Sequence, residues 1–559
     1  MPGHSLSTPL LPPETHFRPS DSDGLLHTIV AVNDHTPPSQ PVTQSTNGDG
    51  NSADGPVSVD DNPYGFIGAH PFESPEPTTV DPFKNHTAGI EGVYEWVKIA
   101  ICLPIALLRL AIFGIFLMVG YVATQIALYG WKDRHNPMPK WRSKLMWVTR
   151  ISARCILFSF GYQWIKRKGK PAAREIAPIV VSNHVSYIDP IFYFYELCPT
   201  IVSSESHDSM PFVGTIIRAM QVIYVDKFSQ SSRKNAVNEI KRKASHNQFP
   251  QVLLFPEGTT TNGRAIISFQ LGAFIPGFPI QPVIVRYPYV HFDQSWGNIS
   301  LSKLMFRMFT QFHNFIEVEY LPIVFPLENR KENAFHFAQR TGNAMASALN
   351  VLQTSHSYAD ALLLMKAAEY KQENPAFYMA EMAWVKSAFH VSTLEAIGFL
   401  DVFLSMSPNS RGQVKMHDFL KALRLKPCAL SEKIFRFVDV KKMGRITFKQ
   451  FLVASAHILK QPSFCRACEL AFERCDVDGK SYILDHQLEE SLKPSVPSLS
   501  KDEVYDIFNF LDTDHDGRIS HDDFIQSLRR NPLLIALFAP KLLNENLCEA
   551  EHVLVEIMS

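Results

Sequence analysis

Apolar and polar positions along the 559-residue chain change character three times. Residues 1–88 are rich in Pro, Ser, Thr, Asp and Asn, with polar tracts such as QSTNGDGN at 44–51 and no sustained period. A stretch of this kind cannot bury enough apolar surface to offset its ordering entropy, so a disordered tail is predicted. The pattern then reverses: residues 99–130 are apolar, broken only by Pro104 and Arg109, and the 21 residues 110–130 carry no charge. At about 1.5 Å per residue that run can cross a hydrocarbon core of about 30 Å. Segment 97–131 is therefore predicted to be a transmembrane helix, or a re-entrant hairpin broken at Pro104 and Arg109.

From about 175 to 325 short β-rich runs, at 177–181, 222–225, 251–255, 282–285 and 315–319, alternate with helical or turn-like segments. That alternation predicts an α/β domain, placed at 132–330. Residues 331–394 read as a helical connector, 395–530 as a repeated helix-loop-helix region, and 531–559 as a C-terminal tail. Turn residues Gly412, Gly444, Ser481 and Gly517 recur at intervals of 32, 37 and 36, which predicts two paired units.

Charge sharpens the picture only when taken by segment. The formal net charge is −1, yet residues 1–90 hold eleven Asp and Glu against Arg18 and Lys84, and residues 131–170 hold eleven Lys and Arg against Asp133. Trp131, Trp141, Trp147 and Trp164 are interleaved with those cations, a pattern suited to anionic lipid headgroups on the cytosolic leaflet. The domain that follows is thus expected on the cytosolic side, with no nucleic-acid partner. The first thirty residues lack the basic and apolar regions of a signal peptide. Eight scattered cysteines, with Cys465 and Cys468 the one close pair, are expected to be reduced thiols rather than a zinc site.

Candidate chemistry begins directly after the first predicted strand, in SNHVSYIDP at 182–190, where His184 and Asp189 stand five apart. On a continuous helix that spacing separates them by about 140°, so pairing requires a turn or a helix start between them. Pro190 suits a first helical position with Asp189 as N-cap. The residues fit an ordinary cap beside a surface histidine. They also fit a general base, His184, oriented by Asp189, since imidazole titrates near neutrality. At another strand end, FPEGTTTN at 255–262 offers Glu257 as an acceptor, Gly258 as a point of close backbone approach, and Thr259. Lys227, in IYVDK, can meet a phosphate as a point charge. The proline-stiffened run at 274–284 suits the wall of an acyl or pantetheine channel.

Together, the order and spacing of these segments resemble the four blocks of the glycerolipid acyltransferase family over residues 140–330. His184-x4-Asp189 looks like the first block, 211–227 the second, 255–259 the third and 274–283 the fourth. The resemblance implies an acyl-CoA:lysophospholipid O-acyltransferase with His184 and Asp189 catalytic, and Lys227, Glu257, Gly258 and Thr259 binding the acceptor. It also implies an endoplasmic reticulum or other endomembrane location. Thr260 and Lys227 stand where members acting on lysophosphatidic acid carry Arg. A phosphomonoester with nearly two charges favours bidentate Arg. The departure points to a phosphodiester headgroup, and the chain looks most like the plant lysophosphatidylethanolamine branch, which bears C-terminal EF-hands. An inactive, calcium-responsive membrane adaptor and a glycerol-3-phosphate or lysophosphatidic acid acyltransferase remain as alternatives.

The run DTDHDGRISHDD at 512–523 matches a calcium loop, with Asp512, Asp514, Asp516, the Arg518 carbonyl, Ser520 and Asp523 at ligand positions, Gly517 at the turn and Ile519 in the hydrophobic slot. Three other loops lack the full ligand set: Lys480, Ser481 and Gln487 spoil the third, Lys441 and Met443 the second, and Arg411 the first. These are expected to be structural hands.

Overall fold

The computed structural model describes residues 62–542, apart from 132–134, 298, 328–331 and 498. The expected tail over residues 1–61, and the last part of the C-terminal tail, 543–559, lie outside the described residues.

Seven strands form the central sheet: β1 (Ile165–Lys168), β2 (Ile179–Ser182), β3 (Thr200–Ser204), β4 (Ile223–Val225), β5 (Val252–Leu254), β7 (Ile280–Arg286) and β8 (Ile316–Tyr320), with a two-residue strand β6 (Ala265–Ile266) outside it. Their order is β1-β8-β7-β2-β5-β3-β4, parallel except between β7 and β8. The central strands are buried on both faces. Val180, Leu253 and Val283 point into one core with Leu157, Phe192 and Phe309. Ile179, Val181, Val252 and Ile284 point into the other with Ile240, Phe274 and Phe337. Burial on both sides is why these strands read as unbroken apolar runs.

Helices α1 (Val93–Leu128) and α2 (Lys140–Ser159) cover the first face with α3 (Ile188–Glu196) and, beyond α4 (Val213–Ala219) and α5 (Gln230–Ser245), α6 (Leu301–Phe309). α1 is one continuous helix of 36 residues through Pro104, long and apolar enough to cross a membrane. Arg109 is buried against the end of α6, where its guanidinium donates to the carbonyls of Phe309 (3.0 Å), Gln311 and Phe312 (2.9 Å). A charge that looked like an interruption therefore serves as a cap for a neighbouring helix.

Three arginines of the basic segment do similar work. Arg142 donates to the carbonyls of Ala127 and Tyr129 at the end of α1, Arg150 to those of Tyr195 and Glu196 at the end of α3, and Arg154 to those of Tyr162 and Gln163. These three half-buried cations are engaged by backbone carbonyls of the chain itself. Trp141, Trp147 and Trp164 are exposed.

On the second face lies α7 (Ala334–Leu349), whose Phe337, Ala338, Met345 and Ala346 join the sheet's core. The stretch expected to be connector thus begins as a layer of the α/β domain. β9 (Leu352–Gln353) pairs with β6, and α8 (Tyr358–Glu369) leads to the helical region. There, short ladders join Gln413–Lys415 to Arg445–Thr447 and Tyr482–Ile483 to Ile519–Ser520, linking the loops two by two.

Residues 62–88 depart from the predicted disorder. Tyr64 is 0% exposed in the helical core and donates to Leu533 O at 2.8 Å. Phe72 packs on Trp384 and Phe389, Thr78 N–H binds Glu381, and Pro82 O accepts from Asn262 N–H at 2.7 Å. The segment straps the helical region to the sheet through a few aromatic anchors that average composition conceals. The expected C-terminal tail also starts inside the core, because Pro532–Phe538 is a fully buried apolar turn of 3-10 helix.

Candidate active site

The predicted site residues gather along one edge of the sheet, beyond the carboxyl ends of β2, β5 and β4, where α/β folds place their ligands. β2 stops at Ser182 because Asn183 turns inward: its amide donates to Val285 O and its oxygen accepts Val285 N–H. His184 follows. α3 then begins at Ile188 with Tyr187 as its cap, so Asp189 stands inside the first turn rather than at the predicted N-cap position. The early start swings the carboxylate back toward His184. Asp189 Oδ2 lies 2.9 Å from His184 Nδ1 and accepts the backbone N–H groups of Val185 (2.7 Å) and Ser186 (2.9 Å). Asp189 Oδ1 accepts from the Tyr287 hydroxyl.

This arrangement fixes the imidazole. A carboxylate that already accepts three donors accepts a fourth hydrogen bond from Nδ1–H, so the proton stays on Nδ1 and the lone pair on Nε2. The imidazole stacks on Phe255 at 4.1 Å and is 19% exposed, so it is braced on one side and open on the other.

The third block clamps the backbone of the same histidine. Glu257 Oε1 accepts His184 N–H at 3.1 Å, and Thr261 N–H donates to His184 O at 2.7 Å. Glu257 is fully buried and its Oε2 has no partner among the described residues. Burial pushes its carboxyl up to about 8, against partial relief from the His184 and Ile267 amides and Thr261. Burial thus favours the protonated form of Glu257, whose carboxyl is turned to the His184 amide.

Gly258 turns at φ +75°, a conformation that favours glycine. Lys227 Nζ donates to the Gly258 carbonyl at 2.6 Å and sits 3.9 Å from the centre of the Tyr358 ring. Burial pulls the ammonium down to about 8. Thr259 is half-buried at the same turn. The fourth block is placed differently from the expected channel wall: Phe274 packs between Phe269 and Phe337 in the core, residues 280–286 form β7, and only Ile275 of the run's front end is an exposed large apolar residue.

Tyr287 and Tyr358 were missed from sequence. Tyr287 carries a signal in retrospect, since it directly follows a strand in the same sheet edge; Tyr358 carries none, because it reaches the site from the connector.

In the fourth helix-loop-helix unit, carboxylate oxygens of Asp512, Asp514 and Asp516 come within 4.8 Å of one another. Three hard oxygen donors in one loop fit a divalent cation such as calcium. Asp523 is turned to its own helix start, accepting from Ser520 Oγ at 2.5 Å and from Thr513, and is not among the three clustered carboxylates. In the third unit Lys480 Nζ lies 3.2 Å from Asp478, and in the second Lys441 pairs with Glu73 and Glu76 of the strap. The lysine of the third unit pairs within its own loop, whereas that of the second points out of its loop to the strap.

Comparison with known proteins agrees with this division. The Acyltransferase family profile matches residues 165–286, and the EF-hand domain pair profile matches 465–529. Lysophospholipid acyltransferase LPEAT2 of Arabidopsis thaliana is 67% identical over 86% of this chain and 89% of its own length. Lysophosphatidylcholine acyltransferase 2 of Mus musculus is 31% identical over 72% of this chain and 74% of its own. The lysophosphatidylcholine acyltransferase of Drosophila melanogaster is 30% identical over 80% and 85%.

Proposed function

The chain belongs to the lysophospholipid acyltransferase family, and we propose that His184 and Asp189 carry the acyl-CoA-dependent acylation of a lysophospholipid hydroxyl, with lysophosphatidylethanolamine or lysophosphatidylcholine as acceptor. The observation that carries the reading is the 2.9 Å contact between His184 Nδ1 and a buried Asp189, which leaves Nε2 free as the base. His184 Nε2 takes the hydroxyl proton while the oxygen attacks the thioester carbonyl. A C–O bond forms, the C–S bond breaks, and the departing CoA sulfur takes the proton from the imidazolium. Asp189 stabilises that imidazolium throughout, held by Val185 N–H, Ser186 N–H and Tyr287. No enzyme nucleophile is needed.

An adaptor on an inactive fold has no use for this aligned dyad. A lysophosphatidic acid acyltransferase is disfavoured by Thr260 and by Lys227, whose ammonium is already held by Gly258 O. The test is a panel of lysophospholipids with labelled acyl-CoA, run on purified membranes with and without calcium. Transfer to lysophosphatidylethanolamine or lysophosphatidylcholine is expected to exceed transfer to lysophosphatidic acid. Exclusive use of lysophosphatidic acid would overturn the acceptor assignment. Calcium sensitivity would assign a regulatory role to the Asp512 loop; its absence would leave that loop structural.

The reading extends to an endoplasmic reticulum or other endomembrane surface, with the catalytic domain in the cytosol and α1 lying in one leaflet. Support comes from the two ends of α1. Its exposed face carries Ile101, Leu108, Ile115, Val122 and Ile126. Yet at its N-terminal end Lys98 binds Gln311 (2.9 Å) and Glu95 pairs with Arg307, while Arg142 caps its C-terminal end. Asn85, within the sequon NHT, is 1% exposed and donates to Asp293 O and Ser295 O of the catalytic domain. The continuous α1 is not the hairpin broken at Pro104 and Arg109, and with both ends held by one domain it favours a helix that stays on the cytosolic side over a full crossing. No glycan is expected on Asn85, and segments beyond residue 170 should be cut by protease added to sealed microsomes. Glycosylation at Asn85 or protection of those segments would refute this topology.

A further inference from the structure

The departure at Lys227 acquires a physical explanation from its surroundings. Its ammonium is enclosed by groups of this chain: the Gly258 carbonyl at 2.6 Å and the face of Tyr358 at 3.9 Å, with the side chain largely buried. Tyr358 opens α8, outside all four sequence blocks, with Ser357 as its cap. Its Cβ also lies 3.6 Å from where a Gly258 side chain would begin, so the ring backs both the lysine and the turn. Asp360, two residues on, accepts the N–H groups of Ala380 (2.9 Å) and Met382 (2.9 Å), which fixes the start of α8 against the segment entering the EF-hand region. The ring therefore has a rigid mounting.

We propose that Tyr358 is a specificity-determining positioning residue: its aromatic face and the Gly258 carbonyl hold the Lys227 ammonium away from the acceptor phosphate, so that the site offers a fixed turn rather than a mobile cation. An acceptor phosphomonoester, with its second negative charge, gains most from a mobile cation, whereas a phosphodiester with a zwitterionic headgroup gains least. Tyr358 thus acts through Lys227 and touches no reacting atom. Arg in place of lysine would extend a fork beyond this enclosure.

The inference rests on the reading that the 257–259 turn borders the acceptor, and the experiment separates the two. Membranes carrying Y358A, Y358F, K227M or Y358A/K227M are assayed for kcat and KM with lysophosphatidylethanolamine and with lysophosphatidic acid, beside a thermal melt of each purified protein. Removing a ring that holds a desolvated cation is expected to move the kcat/KM ratio toward lysophosphatidic acid by about tenfold in Y358A, mainly through KM. Y358F keeps the π face and should keep the wild-type ratio. In the K227M background Y358A should produce no further change in ratio. An equal loss with both acceptors in Y358A, or an unaltered ratio shift in the double variant, would show a merely structural ring and overturn the inference. If K227M and Y358A change the KM for acyl-CoA and leave both acceptor KM values untouched, the turn does not border the acceptor, and both readings fall.

Discussion

H184A protein is expected to fold as wild type does and to lose about 10²- to 10⁴-fold in kcat, the usual effect of removing one general base. The folding half of this expectation comes from the backbone. His184 N–H and C=O are bound by Glu257 and Thr261, and neither bond uses the imidazole. Asp189 Oδ2 keeps the Val185 and Ser186 amides after truncation, so no buried carboxylate oxygen is orphaned. What vanishes is Nε2 and the ring stacked on Phe255. The loss should fall on kcat with the acyl-CoA KM little changed, because the base acts only as the proton moves. A folded H184A enzyme with wild-type turnover would refute the assignment.

Legibility from sequence followed the strength of the physical constraint. The five predicted runs all became strands: burial on both faces forces β-branched and apolar residues into a continuous block in β2, β5 and β7, while β8 shows the alternation of a half-buried strand. Two strands of the central sheet escaped notice. β1 is IKRK at a sheet edge, where only one side chain is even half-buried, and β3 is TIVSS, whose second half is half-exposed. Neither carries the pattern that burial imposes.

The same contrast holds at the site. His184, Asp189, Gly258 and Lys227 were legible because each sits in a short block whose spacing is itself a constraint. Their roles were less so. Glu257 and Lys227 were read as groups facing a substrate, yet one faces the His184 amide and the other a carbonyl and a ring. Nothing in a strand-end motif says which way a side chain turns. Tyr358 and the strap at 62–88 join the site through contacts more than a hundred residues away in sequence, and local pattern has no access to such pairing.

E257Q is expected to retain acyl transfer within about threefold at pH 7 and to melt higher than wild type at pH 8, by a margin that grows with pH. The carboxyl's strongest hydrogen bond is acceptance of His184 N–H, which an amide oxygen performs equally, beside weaker relief from the Ile267 amide and Thr261. The stability effect follows from linkage. Burial raises the folded-state value of this carboxyl from 4.5 to about 8. Below the unfolded value both states hold the proton, and the group's contribution is fully present. As pH rises through that window the unfolded chain releases its proton while the folded chain retains it. Stability falls by about 1.4 kcal/mol per pH unit at most, and the fall levels off once the folded state also ionises. Glutamine has no proton to release, so the advantage of E257Q over wild type should be small at pH 5 and should widen steadily toward pH 8. Lys227 titrates in an overlapping range, but it is present in both proteins and cancels in the difference. Melting curves of both proteins in detergent from pH 5 to 8.5, with activity at pH 7, provide the check. A large loss of kcat in E257Q, with no widening of the difference in melting temperature, would mean that Glu257 works as an ionised carboxylate facing the substrate, as its place in the third block first suggested.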